Sequence, residues 1–487
     1  MRPPLLPLRA VVVAGPVALA FFQGGYFDGA RLVALMVAAV ALAYAAFAAP
    51  SVLPPTRAGR LTLASLAALT AWIALSTAWA PSAGPAGADL ERALLYLAAF
   101  IAACAAFRGG AARVVEPLVA GGILVVIGYG LAGRLLPSLV ELTSSPTATG
   151  RLYLPLTYWN ATGALAAIGV VLTARLAGDT TRSLALRAAA AAGCVPLVLG
   201  VYLTFSRGAV AALVAGLIVL LLLAPSRSAL RALAVCLPLG TLVVAAAASS
   251  PAVRALQGGD AATQGALVGL ALAAAMAAAA GLTAWAARDE ARGALRTGAL
   301  RLPRAAPAVA AVIVAALVAG PLLVARSSEA PAGSGVNGAR NARFADVGSN
   351  RYEYWKVALD GFAAQPLRGD GAGSFEVTWL RERRLSEQVR DAHSLPLETL
   401  AELGLVGFVL VLGLVGGVAA VLRHAHRFDA AFAAGPAAAL VVWGLHACLD
   451  WDWEMPGLTL VAVTLAGVVT GVVAGSGGSR TAAITRG

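Results

Sequence analysis

The chain has 487 residues, of which 60% are hydrophobic and only 12% are charged, and its mean hydropathy is +0.81. These values exclude an ordinary soluble globular domain and indicate an integral membrane protein. The net charge of +12 does not indicate nucleic-acid binding, because no basic patch alternates with aromatic residues on a soluble domain.

Fourteen apolar runs are candidates for membrane spans, each of which needs about 20 residues as a helix. The first is interrupted by Pro16 and the eighth is short, so about 14 (12–14) transmembrane helices are predicted. The fold class is therefore all-α, with one long polar loop. The runs lie at residues 9–23, 30–49, 60–79, 90–107, 114–134, 158–177, 183–204, 209–224, 229–249, 264–287, 306–325, 400–422, 431–449 and 457–474.

These runs divide the chain into four parts. Spans 1–11 occupy residues 1–325, a polar loop with short helices occupies 326–399, spans 12–14 occupy 400–474, and a tail follows at 475–487. With the N-terminus inside, the short inner loops hold 20 of the 36 basic residues and the short outer loops hold six. The positive-inside rule therefore predicts cytoplasmic termini and an extracytoplasmic long loop.

The predicted outer loops carry most of the polar motifs. Arg151 precedes the sequence Tyr158-Trp159-Asn160 after span five, and Thr204-Phe-Ser-Arg207-Gly208 forms the turn after span seven. The loop after span thirteen contains His446 and the run Asp450-Trp-Asp-Trp-Glu454. The aromatic residues are typical of an interfacial belt. Arg207 lies in a tight turn with no acidic residue near it in sequence, which favours a functional role over snorkelling.

The long loop begins with a Gly-, Asn- and Ser-rich stretch and then predicts a helix. Asn350 is a candidate N-cap with Glu353 three residues later, and the helix is expected to end at Gly361. Arg351 lies in the first turn, off the apolar face, where its side chain can point at a ligand. The alternating glycines Gly369, Gly371 and Gly373 allow either an anion-binding nest or an ordinary surface turn.

His393 is the only histidine of the long loop, and it stands immediately before the helix that leads into span twelve. A neutral imidazole at this point can accept a proton from an attacking hydroxyl, and the alternative is a capping or packing role. Glu398 and Glu402 follow at i and i+4 on the same helix and can hold neighbouring groups by hydrogen bonds. Together with Asp450, they are the alternative candidates for the base.

These motifs, in this order, resemble the signature region of the O-antigen ligase and O-antigen polymerase superfamily, which are bacterial multi-pass glycosyltransferases. The resemblance runs from Arg351 through the alternating glycines and His393 to Gly407, and residues 204–208 are similar to the family's Ser-Arg-Gly turn. It covers most of residues 150–460. The number of predicted spans is larger than the ligases usually show, which leaves ligase and polymerase both open.

The resemblance implies a GT-C-like fold and a transfer that needs neither metal nor cofactor. The donor would be a glycan on undecaprenyl pyrophosphate, and the acceptor a lipid, glycan or protein at the outer face of the bacterial plasma membrane. Arg207 and Arg351 would bind the pyrophosphate, and His393 would deprotonate the acceptor hydroxyl. The supporting residues would be Arg151, Asn160, Gly369, Gly371, Glu398, Glu402 and Asp450.

Two other classes of protein compete with a transferase. A flippase for lipid-linked glycans should line a central path with polar residues, whereas the span centres here are almost free of charge. A scaffold without catalytic activity would leave the tight-turn Arg207 and the single loop histidine, His393, unexplained. The polar groups gather at one face, which favours an enzyme that acts at the membrane surface.

Overall fold

The computed structural model of the protein describes residues 3–108, 112–140, 145–295, 298–300, 303, 305–309, 311–313, 338–344 and 348–472. Across these ranges the regular structure is helical, with one isolated β-bridge between Ser226 and Ala299. The α-helices are α1 (Leu6–Ala20), α2 (Asp28–Ala48), α3 (Arg57–Ser76), α4 (Ala83–Ala106), α5 (Val115–Leu135), α6 (Trp159–Gly178), α7 (Leu184–Leu203), α8 (Arg207–Leu223), α9 (Arg227–Ala248), α10 (Pro251–Ala255), α11 (Ala261–Ala291), α12 (Arg351–Ala364), α13 (Phe375–Glu382), α14 (Leu395–Phe428), α15 (Ala430–Ala447) and α16 (Pro456–Val472).

Thirteen of the fourteen predicted spans coincide with helices, namely α1–α9, α11 and α14–α16. The remaining span, residues 306–325, lies largely outside the described residues. In the described part of the chain, nine helices are long and apolar enough to cross a membrane, and α1, α8 and α16 are shorter apolar helices. The predicted all-helical membrane-protein class is therefore confirmed, whereas the number of crossings stays a prediction.

The described residues on either side of that gap lie at opposite ends of the helix bundle. The Leu300 amide donates a hydrogen bond to the Pro225 carbonyl (2.8 Å), just before α9. The Ala339 amide donates to the Thr149 carbonyl (3.2 Å), at the end where α7 meets α8. The predicted eleventh span lies largely outside the described residues and stays a prediction.

Helix α6 lies at the centre of the bundle and is buried from Asn160 to Gly178. Its sequence is rich in Ala, Gly and Thr, and small residues let neighbouring helices approach closely. At Gly163 an added Cβ would lie 2.7 Å from the Thr204 hydroxyl, and at Gly178 it would lie 2.8 Å from the Ala229 backbone. The centre of the bundle is therefore rigidly packed, and it fixes the loop residues that precede α6.

Helix α14 is broken at Gly404, where φ is 63° and ψ is −163°. The loop of residues 366–373 lies against the break and satisfies its backbone groups. The Leu405 amide donates to the Pro366 carbonyl (2.8 Å), and the Gly371 amide donates to the Glu402 carbonyl (2.8 Å). The polar loop is thereby fastened to a membrane helix by main-chain hydrogen bonds on both sides of the break.

Gly404→Ala is expected to destabilise the protein severely. A Cβ at this position would lie 2.4 Å from the Leu367 backbone, and the positive φ alone costs roughly 1–3 kcal/mol for a residue other than glycine. Thermal unfolding in detergent should show a large loss of Tm or of folded protein. Gly416→Ala on the same helix is the control, since an added Cβ there meets nothing within 4 Å. Equal stability of the two variants would contradict the role of the break.

Helix α12 begins at Arg351 as predicted, but its ends differ in detail. The predicted capping box is wrong, because the Asn350 amide makes no cap and donates instead to Glu387 Oε1 (2.7 Å). The helix continues past Gly361 to Ala364. Glu387 lies 37 residues away in sequence, so a distant partner decides the orientation of the Asn350 side chain.

Candidate functional site

A polar cavity of about 660 Å³ lies at the end of the bundle where the outer loops were predicted to meet. Five of the predicted site residues line it together: Arg151, Asn160, Arg207, Arg351 and His393. They come from three loops that are far apart in sequence. The distribution of arginines predicts that these three loops lie on the same side of the membrane, and their meeting in one cavity agrees with that prediction. Further lining residues include Tyr26, Arg343, Tyr354, Glu376, Glu387, Arg390 and Trp451.

Five arginine side chains line this cavity, and four of them, Arg151, Arg207, Arg343 and Arg351, form what we call the arginine cluster; the fifth is Arg390. Arg207 donates from Nη2 to the Gly348 carbonyl (3.1 Å), and Arg343 donates from Nε to the Phe205 carbonyl (3.2 Å). Burial, with the nearby charges of Arg343 and Arg351, lowers the pKa of Arg151 to about 10. Like charges held this close favour an anionic ligand, and arginine forks match phosphate geometry.

Arg351 is held by a chain of buried polar groups behind the cavity. Its Nη2 lies 2.6 Å from Asp450 Oδ2, and the Tyr158 hydroxyl donates to Asp450 Oδ1 (2.8 Å). The Asn160 amide donates in turn to the Tyr158 hydroxyl (2.7 Å). Burial would raise the pKa of Asp450, but the charge of the Arg351 guanidinium lowers it below its usual range. Asp450 is fully buried, so it positions Arg351 and is not among the cavity-lining residues.

His393 is fixed in one orientation by its backbone and its ring contacts. Its φ is 55°, and the Trp355 indole donates to its carbonyl (3.4 Å). The ring lies 5.3 Å from the Tyr354 ring and 6.2 Å from the Trp451 ring. Nδ1 lies 2.9 Å from the Asp391 carbonyl, which can only accept a hydrogen bond. Nδ1 therefore carries the proton, and Nε2 is the acceptor of the neutral ring.

The pH dependence of transfer is expected to reflect this environment. Burial, with the charge of Arg351, lowers the pKa of His393 to about 4, so the ring is neutral at pH 7. A protonated histidine cannot act as a base, so kcat/KM should fall on the acid side of the pH profile only near pH 4. A histidine with an unperturbed pKa would give this acid limb at about pH 6.5. A pyrophosphate group bound in this cavity would stabilise the imidazolium and would move the limb in kcat to higher pH. A limb in kcat/KM that survives unchanged in His393→Gln would refute this assignment.

The alternating glycines do not line the cavity, so the structure does not support the anion nest. An added Cβ at Gly369 would lie 2.3 Å from the Glu402 backbone, and at Gly371 it would lie 2.6 Å from the Ala80 backbone. Their positive φ values of 68° and 98° allow this close packing. These glycines attach the loop to α14 and to the residues after α3.

Glu398 and Glu402 also lie outside the cavity and hold loop backbone. Glu402 accepts hydrogen bonds from the Gly373 and Phe375 amides, both at 2.9 Å. Glu398 accepts one from the Ala392 amide (2.6 Å), next to His393. The two carboxylates therefore act on the position of the loop and of His393.

A cluster of acidic side chains lies behind His393, and the spacing of these residues in the sequence did not indicate it. The carboxylates of Asp391, Glu398 and Glu454 approach within 4.8 Å of one another, close enough to hold a cation or to share protons. Burial raises the pKa of Asp391 to about 7, although Arg92 lowers it. The three residues come from two loops and a helix, and only the fold brings them together.

A buried histidine–carboxylate pair also lies beside the site. His446 Nδ1 lies 2.6 Å from Asp452 Oδ2, and both side chains are inaccessible to solvent. His446 Nε2 would lie 3.3 Å from a Cβ placed on Gly208, so the pair packs against the start of α8, next to Arg207. The sequence contained both residues, but nothing in their spacing indicated this contact.

Three aromatic residues of the outer loops, Tyr158, Trp159 and Trp451, line the cavity, so the interfacial-belt interpretation is wrong for these three. The Tyr158 and Trp451 rings lie 4.3 Å apart, and the Arg151 guanidinium lies 3.8 Å from the Trp159 ring centre. Residues other than glycine with positive φ also gather near this end, at Gln23, Thr149, Thr157, Phe205 and His393. Strained backbone of this kind is typical of functional sites.

The apolar helices and the polar, arginine-lined cavity define a polytopic membrane protein with a site for an anionic ligand at one end of the bundle. Residues 192–412 match the Wzy_C (O-antigen ligase) family. The resemblance predicted from the sequence is thereby confirmed. The matched segment contains Arg207, Arg351 and His393, whereas Arg151, Asn160 and Asp450 lie outside it. No curated protein matches the chain.

Proposed function

We propose that the protein transfers a glycan from undecaprenyl pyrophosphate to an acceptor hydroxyl at the outer face of the bacterial plasma membrane. The match to the O-antigen ligase family implies a glycosyltransferase or ligase acting on lipid-linked glycans in general. The observation that carries the finer proposal is that the arginine cluster and a neutral histidine line the same cavity. Cations for a leaving pyrophosphate and a base for a nucleophile are the two requirements of this reaction.

The proposed chemical step is a displacement at the anomeric carbon of the donor sugar. The acceptor oxygen forms a bond to that carbon, and the carbon–oxygen bond to the pyrophosphate breaks with its electron pair on the phosphate oxygen. His393 Nε2 takes the proton of the acceptor hydroxyl. The arginine cluster stabilises the negative charge that develops on the leaving group, which is the role that metal ions have in other transferases.

The GT-C-like assignment and the orientation of the site belong to the same proposal. In the described part of the chain, two apolar cavities lie between helices, and the polar cavity lies at one end. This arrangement supports an enzyme that acts at one membrane surface over a flippase with a polar central path. The distribution of arginines in the short loops supports an outer-face position for the cavity.

The proposed orientation predicts the result of cysteine labelling in a variant without native cysteines. Asp360 on α12 and Leu53 after α2 are both solvent-exposed and lie at opposite ends of the bundle. In spheroplasts, an impermeant maleimide should label Asp360→Cys, and it should label Leu53→Cys only after permeabilisation. The reverse pattern would invert the topology and remove the site from the outer face.

Purified protein in liposomes with an undecaprenyl-pyrophosphate-linked glycan and a candidate acceptor tests the function directly. Transfer should occur and should persist in EDTA, since arginines supply the positive charge. Loss of activity in EDTA would refute a metal-independent reaction and direct attention to the carboxylates of Asp391, Glu398 and Glu454. Elongated lipid-linked glycan as the product would indicate a polymerase. Movement of donor across the bilayer without transfer would indicate a flippase.

A further inference from the structure

Two apolar grooves run between the helices and differ in the charge of their linings. The groove between α1, α2, α4 and α16 has a volume of about 420 Å³, and no charged side chain lines it. The groove among α3, α4, α14, α15 and α16 has a volume of about 270 Å³. Four carboxylates line the second groove: Asp89, Glu398, Glu402 and Glu454.

We propose that the uncharged groove, which we call the α1–α2 groove, binds the polyprenyl tail of the glycan donor. This inference rests on the proposed function, because it assumes a donor with a long isoprenoid chain and an anionic head. It adds the location of the tail, and it selects one of two grooves that are both apolar along most of their length.

Polar groups in the lining distinguish the two grooves. An isoprenoid tail in the second groove would lie against four carboxyl groups, and an apolar chain offers buried polar groups no hydrogen-bond partner. The α1–α2 groove has no charged side chain in its lining and imposes no such cost. A lipid whose head group occupies the arginine cluster is therefore accommodated better by the α1–α2 groove.

The α1–α2 groove also leads to the polar cavity. Phe22 lines the groove and Tyr26 lines the cavity, with the short turn Gln23–Gly25 between them. Four residues span at most about 14 Å. The Tyr26 ring contacts the Trp451 ring at 5.1 Å, and Trp451 lies next to His393. A chain leaving the groove at Phe22 thus emerges beside the wall of the site.

The length and side opening of the groove suit one leaflet of a bilayer. Its lining on α2 runs from Gly29 to Ala41, which corresponds to about 18 Å at 1.5 Å per residue. Half of a hydrocarbon core about 30 Å thick is similar to this length. Val33 and Val37 on its flank are 55% and 46% exposed, so the groove is accessible from the lipid. A long tail can enter sideways, and its remainder stays in the bilayer.

Three glycine variants test this assignment with matched changes. Gly15 lines the α1–α2 groove, Gly444 lines the second groove, and Gly281 lies exposed on α11. An added Cβ meets nothing within 4 Å at any of the three, so phenylalanine can extend into each space. Transfer would be measured with two donors that carry the same glycan, one on undecaprenyl pyrophosphate and one on a short prenyl pyrophosphate.

Gly15→Phe is expected to raise KM for the undecaprenyl donor by roughly tenfold or more, because a displaced tail misplaces the reacting head. Its kinetics with the short donor should match the wild type, and Gly444→Phe and Gly281→Phe should match it with both donors. An effect confined to Gly444→Phe, or an equal loss on both donors in Gly15→Phe, would overturn the inference. A wild-type protein inactive on both donors would instead refute the proposed function.

Discussion

His393→Gln is expected to lower the rate of glycan transfer by about 10²–10⁴-fold, the usual contribution of a general base. Glutamine can still accept a hydrogen bond but cannot take the proton of the acceptor hydroxyl. Binding of the lipid-linked donor should stay near the wild-type level, because the arginine cluster is the proposed binding site of the pyrophosphate. Turnover and donor affinity, measured separately in liposomes, check both parts of this expectation.

His424→Gln is the matched control, since His424 lies near the far end of α14, about 30 residues from His393 and away from the cavity. It should transfer at the wild-type rate. Wild-type turnover in His393→Gln would reduce that residue to a packing element, and the base would have to be sought among Glu398, Glu402 and Asp450. Loss of donor binding together with turnover would also contradict the separation of roles.

Arg207→Ala and Arg351→Ala are each expected to reduce transfer by about 10²–10³-fold, as for other donors to developing negative charge. The corresponding lysine variants should recover little activity, since a point charge does not reproduce the guanidinium fork. Transfer rates in liposomes test this expectation. Arg384→Ala is the control, because Arg384 is exposed in the same loop and does not line the cavity.

Arg351 has a second role that must be separated from ligand binding. Removing its side chain leaves the fully buried Asp450 without its ionic partner, which costs about 3–5 kcal/mol in comparable cases. The double variant Arg351→Ala/Asp450→Ala should regain much of the lost stability but none of the lost transfer. Recovery of activity in the double variant would mean that Arg351 serves the fold alone, and near-normal activity in Arg207→Ala would remove Arg207 from the site.

Local features of the sequence predicted the helices and the main polar residues. The apolar runs located the spans because each is a local property of about 20 residues. Arg207 and His393 were found because a charge in a tight turn and a single loop histidine are unusual within their own neighbourhoods. Both line the cavity. Arg351 was found from the helix start, since Asn350 is at the N-cap position as predicted, although its side chain makes no cap hydrogen bond.

Contacts between distant parts of the chain could not be predicted in this way. Arg343 has no distinguishing neighbours in sequence, yet its guanidinium contacts the Phe205 carbonyl 138 residues away. Alternating glycines are compatible with a ligand nest or with close packing, and only the position of Ala80 and Glu402 decides between them. The sequence predicted an interfacial position for Tyr158, Trp159 and Trp451. It could not indicate that they line a cavity, because that cavity is formed by segments far apart in the chain.

The main-chain attachment at Gly404 limits how this enzyme can be recombined. The polar loop and the broken membrane helix share backbone hydrogen bonds whose geometry depends on both segments, including Leu405 with Pro366 and Gly371 with Glu402. In a chimera that takes only residues 338–393 from a relative, the foreign loop would face a helix break whose backbone geometry fits the original loop. We therefore expect a chimera to acquire the substrate specificity of the relative only when residues 401–406 are exchanged together with the loop.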